Sequence, residues 1–454
     1  MWKYLFSKQQ RLEVLLLGGD SVLVLLSLSL AVVIKVYRAG ENDLPWTGAQ
    51  TVLIYGLLVG GSLLAFYILG LYSWDNQRRR LCLFAYLSLS MGAVLVMFST
   101  LAYFIPALRP GKILVVMFAG LSVAAVWGWH WLAGVFFPVR PQRLVLIGQD
   151  RVIQEIVQMV QQDHSQAYEI AAHWHQVHPN PTLGNLSRLA ENKNIDAIIY
   201  SVGSQILKEV TDSLLNLRFR QLNVYDAPTF YQRLTGKLPV FHLDDFWMLI
   251  NSQREVFFPR LTANLKRVFD IFLVVLCLPL ALPLILIGAL AIRLDSKGPV
   301  FFIQERLGRN EVPFRLVKFR TMVDHAEQDN GPQWANEGDP RVTRVGKILR
   351  KLRLDELPQL FNVLKGEMSV VGPRPIRRHF ADLLAQELPY YRLRFLVKPG
   401  LTGWAQINYD YAGSVEGQAE KLQYELFYLV HQSLWLDFFI ILKTLRVMLL
   451  GKGT

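Results

Sequence analysis

The run VFDIFLVVLCLPLALPLILIGALAI, from Val268 to Ile292, decides what kind of chain this is. It is longer than the ~20 apolar residues that a helix needs to cross a bilayer. Pro279 and Pro283 stand four residues apart near its middle. Each removes a backbone donor and clashes with the preceding turn, so a kink or break is predicted there. The flanks are basic on both sides, Lys266 and Arg267 before, Arg293 and Lys297 after. A straight crossing would carry the polar remainder of the chain to the far side. A bent helix that enters and leaves by one face keeps both flanks together, provided protein or interfacial water takes up the freed backbone groups. The alternative is a plain fifth spanning helix.

Upstream lie four further apolar segments, at about 12–37, 48–72, 81–105 and 112–137, each long enough to span. Their short connectors predict an antiparallel bundle. Basic residues gather at Lys3, Lys8 and Arg11, at Arg78, Arg79 and Arg80, and at Arg140 and Arg143; the intervening connectors carry a weaker mix. The positive-inside rule therefore places the N-terminus and everything after residue 138 on the cytoplasmic side. The first segment is too long for a cleaved signal and lacks a small-residue cleavage site, so it reads as an anchor. Asp20 within it is expected to pack against a neighbouring helix, with a functional role as the alternative.

Composition agrees. The 454-residue chain is 52% hydrophobic and 19% charged, with a formal charge of +12 and a mean hydropathy of +0.26. The positive charge favours anionic partners; the apolar content argues against nucleic acid and for anionic lipid or phosphorylated substrates. Cys82 and Cys277, both in apolar runs, are too few for a disulfide framework or a cysteine-rich metal site.

Residues 138–250 read as a soluble α/β unit. Arg143 to Gly148 is a buried strand ending in a turn, followed by a helix from Val152 to Gln162; Asp196 to Ser201 is a second strand, with a helix near Ile206–Leu217 after it. Strand–helix alternation predicts a parallel sheet of Rossmann-like type. After Gly148 no second or third glycine admits a pyrophosphate, so a scaffolding or regulatory unit is expected rather than a nucleotide site. His173, His175 and His178 raise a metal reading, which a strand edge and turn explain better.

Beyond Arg260 the chain is dense in charge and glycine–proline motifs. Asp355 and Glu356 precede a short helical stretch, Leu357 to Leu364, with Pro358 tolerated in its first turn. That places Asp355 near the N-cap and both acids at the positive end of the helix dipole, a natural phosphate site. A carboxylate held ionised beside phosphorus can attack it and form an acyl phosphate. Charge repulsion must then be relieved by cations. Arg341, Arg344, Arg350, Arg353 and Arg374 are available, and Mg²⁺ held by a carboxylate and phosphate oxygens would suit. The alternative for the acid pair alone is a capped surface helix with solvated arginines.

The stretch from about residue 262 to 454 resembles the bacterial sugar transferases, the monotopic polyprenyl-phosphate phosphoglycosyl transferases. The resemblance rests on Lys-Arg-Val-Phe-Asp at 266–270, Gly-Pro-Val-Phe-Phe at 298–302, Lys-Phe-Arg-Thr-Met at 318–322, Leu-Asp-Glu-Leu-Pro-Gln-Leu at 354–360, Val-Gly-Pro-Arg-Pro at 371–375 and Pro-Gly-Leu-Thr-Gly-Trp-Ala-Gln at 399–406. It implies a membrane protein of mixed α and α/β class with three parts: a four-helix transmembrane domain (1–137), a Rossmann-like α/β domain (138–250), and a mostly helical catalytic domain (251–454) with a re-entrant helix at about 268–292. It also implies that Asp355 is the nucleophile, that Glu356 helps to bind Mg²⁺ or handle protons, and that Arg350 and Arg374 bind phosphate. Lys318 and Arg320 match a family motif that could serve substrate contact or structural pairing, and Arg341 joins them as a candidate phosphate contact. Trp404 and Gln406 are expected near the active face, with a core role open for Trp404. Arg353 departs from the serine or threonine common at its position in the family.

The implied reaction takes a hexose-1-phosphate from a UDP-sugar to undecaprenyl phosphate, with UMP released, through an aspartyl-phosphosugar intermediate. It would initiate exopolysaccharide, capsule or O-antigen synthesis at the cytoplasmic face of the bacterial inner membrane. A homodimer through the middle domain is expected as well. Three rivals remain open at this point: a direct glycosyltransferase releasing UDP, a non-catalytic assembly scaffold, and an oxidoreductase or epimerase activity in the middle domain, which the absent glycine fingerprint disfavours.

Overall fold

The structure, a computed structural model of the chain, describes residues 8–39, 48–69, 71–72, 80–105, 111–136, 141–162, 167–174, 195–201, 214–219, 222–243, 247–248, 259–323, 341–409 and 414–450. The chain folds as two compact units, Met1–Arg233 and Leu234–Thr454.

The first unit opens with four helices, α1 (Lys8–Ala39), α2 (Gly48–Ile68), α3 (Arg80–Phe104) and α4 (Lys112–Phe136). Each carries a stretch long and apolar enough to cross a membrane. Leu28, Leu58, Leu87 and Phe118, one from each helix, meet in a single buried cluster. Val33, Val52, Val96 and Ile113 point outward and are exposed, an apolar exterior that a water-facing protein does not keep. Asp20 is fully buried. It accepts a hydrogen bond from the Tyr72 hydroxyl at 2.9 Å and lies 3.0 Å from His130 Nε2 on α4. A polar group in an apolar interior is tolerated when its hydrogen bonds are made, so Asp20 packs helices together as expected from the sequence. Gly19 beside it leaves room for the Trp129 ring, into which a Cβ would run.

The α/β part that follows has strands β1 (Gln142–Ile147), β2 (Tyr168–Trp174), β3 (Ala197–Tyr200) and β4 (Asn223–Asp226), with helices α5 (Arg151–Gln162) after β1 and α6 (Ala227–Thr235) after β4. The strands run parallel in the order β2-β1-β3-β4. Leu144, Val145, Leu146 and Ile147 are all buried, the near-continuous apolar run of a strand covered on both faces. The backbone N–H of Ile153 in α5 bonds Asp150 Oδ1 at 3.2 Å, and that of Thr229 in α6 bonds Asp226 Oδ2 at 3.2 Å. Carboxylates thus sit where a nucleotide phosphate would dock, in keeping with the missing glycine fingerprint. His173 lies in β2 with Nε2 3.2 Å from the Gly148 carbonyl. His175, His178 and most of the helix expected near 206–217 lie outside the described residues.

The second unit begins before residue 250: Leu238 and Val240 share a core with Leu384 and Leu426, and Leu238 N–H bonds the Gln423 carbonyl. Its first long element is α7 (Pro259–Asp295), which runs as one helix with Pro279 and Pro283 inside it, where a kink or break was expected. At 1.5 Å per residue it is about 55 Å long if straight. Val274, Ala281, Ile285 and Ile292 recur at helical spacing and pack on Phe314, Leu316, Phe319 and Val363. On the other side Leu276, Leu280, Leu286, Ile287, Leu290 and Leu294 are exposed. Such an apolar stripe marks a lipid or partner surface.

Both ends of α7 are tied into the same unit. At its start Lys266 Nζ bonds Asp437 Oδ2 (2.6 Å), Arg267 donates to the carbonyls of Val363 and Leu364, and Asp270 accepts from Ser369 Oγ and Val370 N–H. At its end Asp295 accepts from Val345 N–H, and Arg320 donates to the carbonyls of Ser296 and Lys297.

The hairpin β5 (Phe301–Leu307) and β6 (Pro313–Phe319) follows, then α8 (Arg344–Lys351), a 3₁₀ segment Leu354–Gln359 continuing into α9 (Leu360–Lys365), strand β7 (Ser369–Val371) and α10 (Arg378–Glu387). A second 3₁₀ segment, Tyr391–Leu396, leads to β8 (Gly400–Thr402), α11 (Trp404–Asn408), α12 (Val415–His431) and α13 (Leu434–Leu450). The motif glycines at 372 and 400 let β7 and β8 run side by side: Gly372 N–H bonds the Thr402 carbonyl and Gly400 N–H that of Pro373. A Cβ on Gly400 would collide with the backbone of Gly372, and backbone cannot swing away. Gly400→Ala is therefore expected to cost about 1–3 kcal/mol or more, read as a lower thermal midpoint with a matching loss of activity; an unchanged midpoint would contradict this packing.

Candidate active site

The acid pair lies in the first turn of the Leu354–Gln359 segment. Sequence reasoning put Asp355 near the N-cap; it lies two residues after the cap, Arg353, which is left-handed (φ 52°) and makes no side-chain cap. The segment starts earlier than expected and in 3₁₀ form, with Pro358 in its interior. Proline lacks an N–H, so a tight short segment loses little by holding it. Strand β6 runs alongside, fixed by buried Asn362: its Oδ1 accepts from Val317 N–H at 3.1 Å and its amide donates to the Arg315 carbonyl at 2.7 Å. The next residue along the strand, Lys318, is thereby aimed at the acids.

Glu356 Oε1 accepts from Lys318 Nζ at 3.1 Å and from Arg374 Nη2 at 2.5 Å. Burial works against the charged form, but the two cations outweigh it and hold Glu356 well below the usual carboxylate range. Lys318 is pulled down by burial, with Glu356 opposing, and Arg374 is pushed up by Glu356. Asp355 differs from its neighbour. Its carboxylate has no hydrogen bond among the described residues, and burial, then the Glu356 charge, push its pKa up against the pull of Lys318, Arg374 and Arg350. The pair is thus one anchored acid and one uncommitted acid in a field of cations.

The structure brings together five of the predicted residues, Asp355, Glu356, Lys318, Arg350 and Arg374. Arg350 is oriented by Nε donating to Thr321 Oγ1 at 2.8 Å. Arg320 is placed differently: it is buried and its guanidinium donates to Ser296 and Lys297 at the end of α7. Arg341 lies beside the bridge between Met322 and Val342, and no hydrogen bond or ion pair among the described residues joins it to the acid pair. Trp404 donates from Nε1 to the Gly236 carbonyl at 2.8 Å and stacks on Phe427, both packing contacts. Sequence reasoning missed Arg394 and Glu425. Arg394 grips Glu425 through two bonds of 2.7 Å and donates to the Arg374 carbonyl at 2.9 Å, so it steadies the residue that anchors Glu356.

For a divalent metal, Asp355 and the second oxygen of Glu356 accept no hydrogen bond among the described residues. A pair of carboxylates completed by substrate phosphate oxygens is a donor set that suits Mg²⁺. Among the described residues no cluster of three or more His, Cys, Asp or Glu could hold a metal unaided.

An acid pair in a cationic pocket, on a unit that also carries a long apolar helix, defines a membrane-associated protein equipped for anionic groups. The profile described as bacterial sugar transferase matches residues 261–451. The UDP-N-acetylgalactosamine-undecaprenyl-phosphate N-acetylgalactosaminephosphotransferase of Aeromonas hydrophila is 44% identical over 230 residues, 51% of this chain and 53% of that protein. The undecaprenyl-phosphate glucose phosphotransferase of Komagataeibacter xylinus is 38% identical over 274 residues, 58% of this chain and 51% of the relative. The UDP-glucose:undecaprenyl-phosphate glucose-1-phosphate transferase of Caulobacter vibrioides is 44% identical over 196 residues, 42% of this chain and 72% of the relative. This chain belongs to the bacterial sugar transferase family. It spans about half the length of the first two of these relatives.

Proposed function

We propose that the protein transfers a hexose-1-phosphate from a UDP-sugar to undecaprenyl phosphate and so initiates a surface polysaccharide. The observation that carries this is the division of labour in the acid pair: Glu356 is locked by Lys318 and Arg374, while Asp355 is left uncommitted beside them. The names of the relatives supply the substrates, and the site supplies chemistry that suits them. An Asp355 oxygen forms a bond to the sugar-bearing phosphorus as the bond from that phosphorus to the bridging oxygen breaks, and UMP departs with the electron pair. An oxygen of the lipid phosphate then attacks the same phosphorus, the bond to Asp355 breaks, and a lipid-diphosphate sugar results. Lys318, Arg350 and Arg374 reduce the repulsion between anions in both steps. Mg²⁺, when bound by Asp355, Glu356 and phosphate oxygens, would supply further charge neutralisation.

The setting belongs to the same proposal: a four-helix bundle (1–137) in the inner membrane, with a Rossmann-like part from residue 138 and a catalytic part that takes in the chain from Leu234 onward, both on the cytoplasmic face. The attachment of both flanks of α7 to one unit supports re-entry, because a full crossing would separate those flanks by about 30 Å of hydrocarbon. The outward apolar stripe then rests in the inner leaflet, within reach of a lipid-borne acceptor. Exposed Leu215 and Phe219 in the middle part support a homodimer there. The deciding experiment is nucleotide release from a panel of UDP-sugars with undecaprenyl phosphate and the purified full chain. UMP is the expected product; UDP would identify a direct glycosyltransferase, and no nucleotide with any donor would identify a scaffold.

A further inference from the structure

Gly236, Lys237 and Leu238 stand at the head of the second unit, which begins at Leu234, and ahead of the stretch that the family profile matches. They nevertheless grip two elements of that stretch. The Gly236 carbonyl accepts from Trp404 Nε1 on α11 at 2.8 Å. An indole N–H taken from water needs an acceptor, and here the acceptor belongs to this segment. Gly236 is left-handed (φ 68°), and a Cβ on it would press against the indole ring, so the close approach needs glycine. Lys237 Nζ pairs with Glu420 Oε1 at 2.5 Å and sits over the Tyr424 ring. Leu238 N–H bonds the Gln423 carbonyl at 3.0 Å. Those three partners are all on α12, so the segment ties α11 to α12. The same two elements hold residues 371–374. Gly403, next to Trp404, lies so close to the Gly372 carbonyl that a Cβ would collide with it, and Gly372 N–H bonds the Thr402 carbonyl. From α12, Tyr428 donates to the Val371 carbonyl at 3.2 Å, and Glu425 grips Arg394, which donates to the Arg374 carbonyl. Arg374 is the residue that reaches Glu356.

We propose that Trp404 and Lys237 are positioning residues for Arg374, and that Gly236–Leu238 is a brace supplied from outside the stretch shared with the family. This rests on the reaction proposed above, in which Arg374 offsets phosphate charge. Neither residue touches substrate. With the brace in place, α11 and α12 keep a fixed spacing, and residues 371–374 are held to the path that ends with Arg374 on Glu356. With the brace loosened, that path gains freedom, and Arg374 spends less time where the donor's phosphate meets it. The effect works through entropy: a cation already fixed in place loses less freedom when its ligand binds.

The test uses the full chain in detergent or nanodiscs. Trp404→Phe keeps an aromatic ring against Phe427 and loses the donor to Gly236. Lys237→Glu sets two acids against each other, and the Lys237→Glu, Glu420→Lys double variant restores the pair. Both of those side chains are partly exposed, so folding is not at stake. Each single variant is expected to raise the donor KM roughly 2- to 10-fold, on the order of one hydrogen bond. Inhibition by UMP should weaken while inhibition by uridine does not, and the double variant should regain most of the loss. A purely structural role would lower kcat with the thermal midpoint and leave KM and UMP inhibition alone. That result in Trp404→Phe overturns the proposal. So do unchanged constants in both single variants, or a double variant no better than Lys237→Glu. A wild type that turns over no UDP-sugar defeats the reaction, not the brace. Amide hydrogen exchange across residues 371–374 then decides: faster exchange in both single variants, restored in the double, is the expected result, and exchange equal to wild type in all of them is the contrary one.

Discussion

Asp355→Asn is expected to leave a protein that inserts into membranes, keeps its thermal midpoint and transfers no sugar phosphate, with a loss of at least about a thousandfold. The substitution is close to isosteric. Because the Asp355 carboxylate has no hydrogen bond among the described residues, exchanging it for an amide breaks no described internal contact. What disappears is a carboxylate that no cation holds by a hydrogen bond among the described residues. Burial and the Glu356 charge raise its pKa, which marks a poorly solvated carboxylate with little to shed before it attacks. The wild type incubated with UDP-sugar and no lipid acceptor should release about one UMP per chain and retain the sugar phosphate covalently. Asp355→Asn should do neither, and retained turnover in the variant would refute the nucleophile assignment.

The sequence showed the apolar elements well, because periodicity and length are local. All four N-terminal helices fall within a few residues of their expected runs, α7 contains the expected run 268–292 but starts nine residues before it, and the parallel sheet follows from strand–helix alternation. The continuity of α7 through two prolines was not legible. Packing along Val274, Ala281, Ile285 and Ile292 is a tertiary effect that sustains a helix which local rules would interrupt. The acid pair and Arg374 were found through motifs, but charge alone could not separate Lys318 from Arg320, two residues apart on and just beyond one strand. One reaches Glu356; the other turns to the carbonyls at the end of α7. Lys421 and Glu425 illustrate a deeper difficulty. A lysine and a glutamate four residues apart on a helix read as a solvated surface pair. Only the fold shows that Arg394, 31 residues away in sequence from Glu425, takes the glutamate.

Arg394→Leu should strongly destabilise the second unit, because it strands a charge. Arg394 and Glu425 side chains are each about 3% exposed and joined at 2.7 Å. Removing one partner of such a pair typically costs 3–5 kcal/mol, whereas replacing both by apolar groups of similar volume is often neutral. The Arg394→Leu, Glu425→Leu double variant is therefore expected to regain most of the thermal midpoint lost by the single one. Activity should not return with stability. Arg394 also holds the Arg374 carbonyl at 2.9 Å, and Arg374 in turn fixes Glu356, so the acid pair stays loose in a chain that folds well. The exposed Arg392, paired with Glu311 and Asp382 at the surface, is the control: solvent already screens it, and Arg392→Leu should leave both midpoint and rate near wild type. If the double variant proves as unstable as Arg394→Leu, the pair is held by packing that charge does not explain. If it recovers full activity, Arg374 needs no support from the second 3₁₀ segment, and the site ends at the acid pair and its two cations.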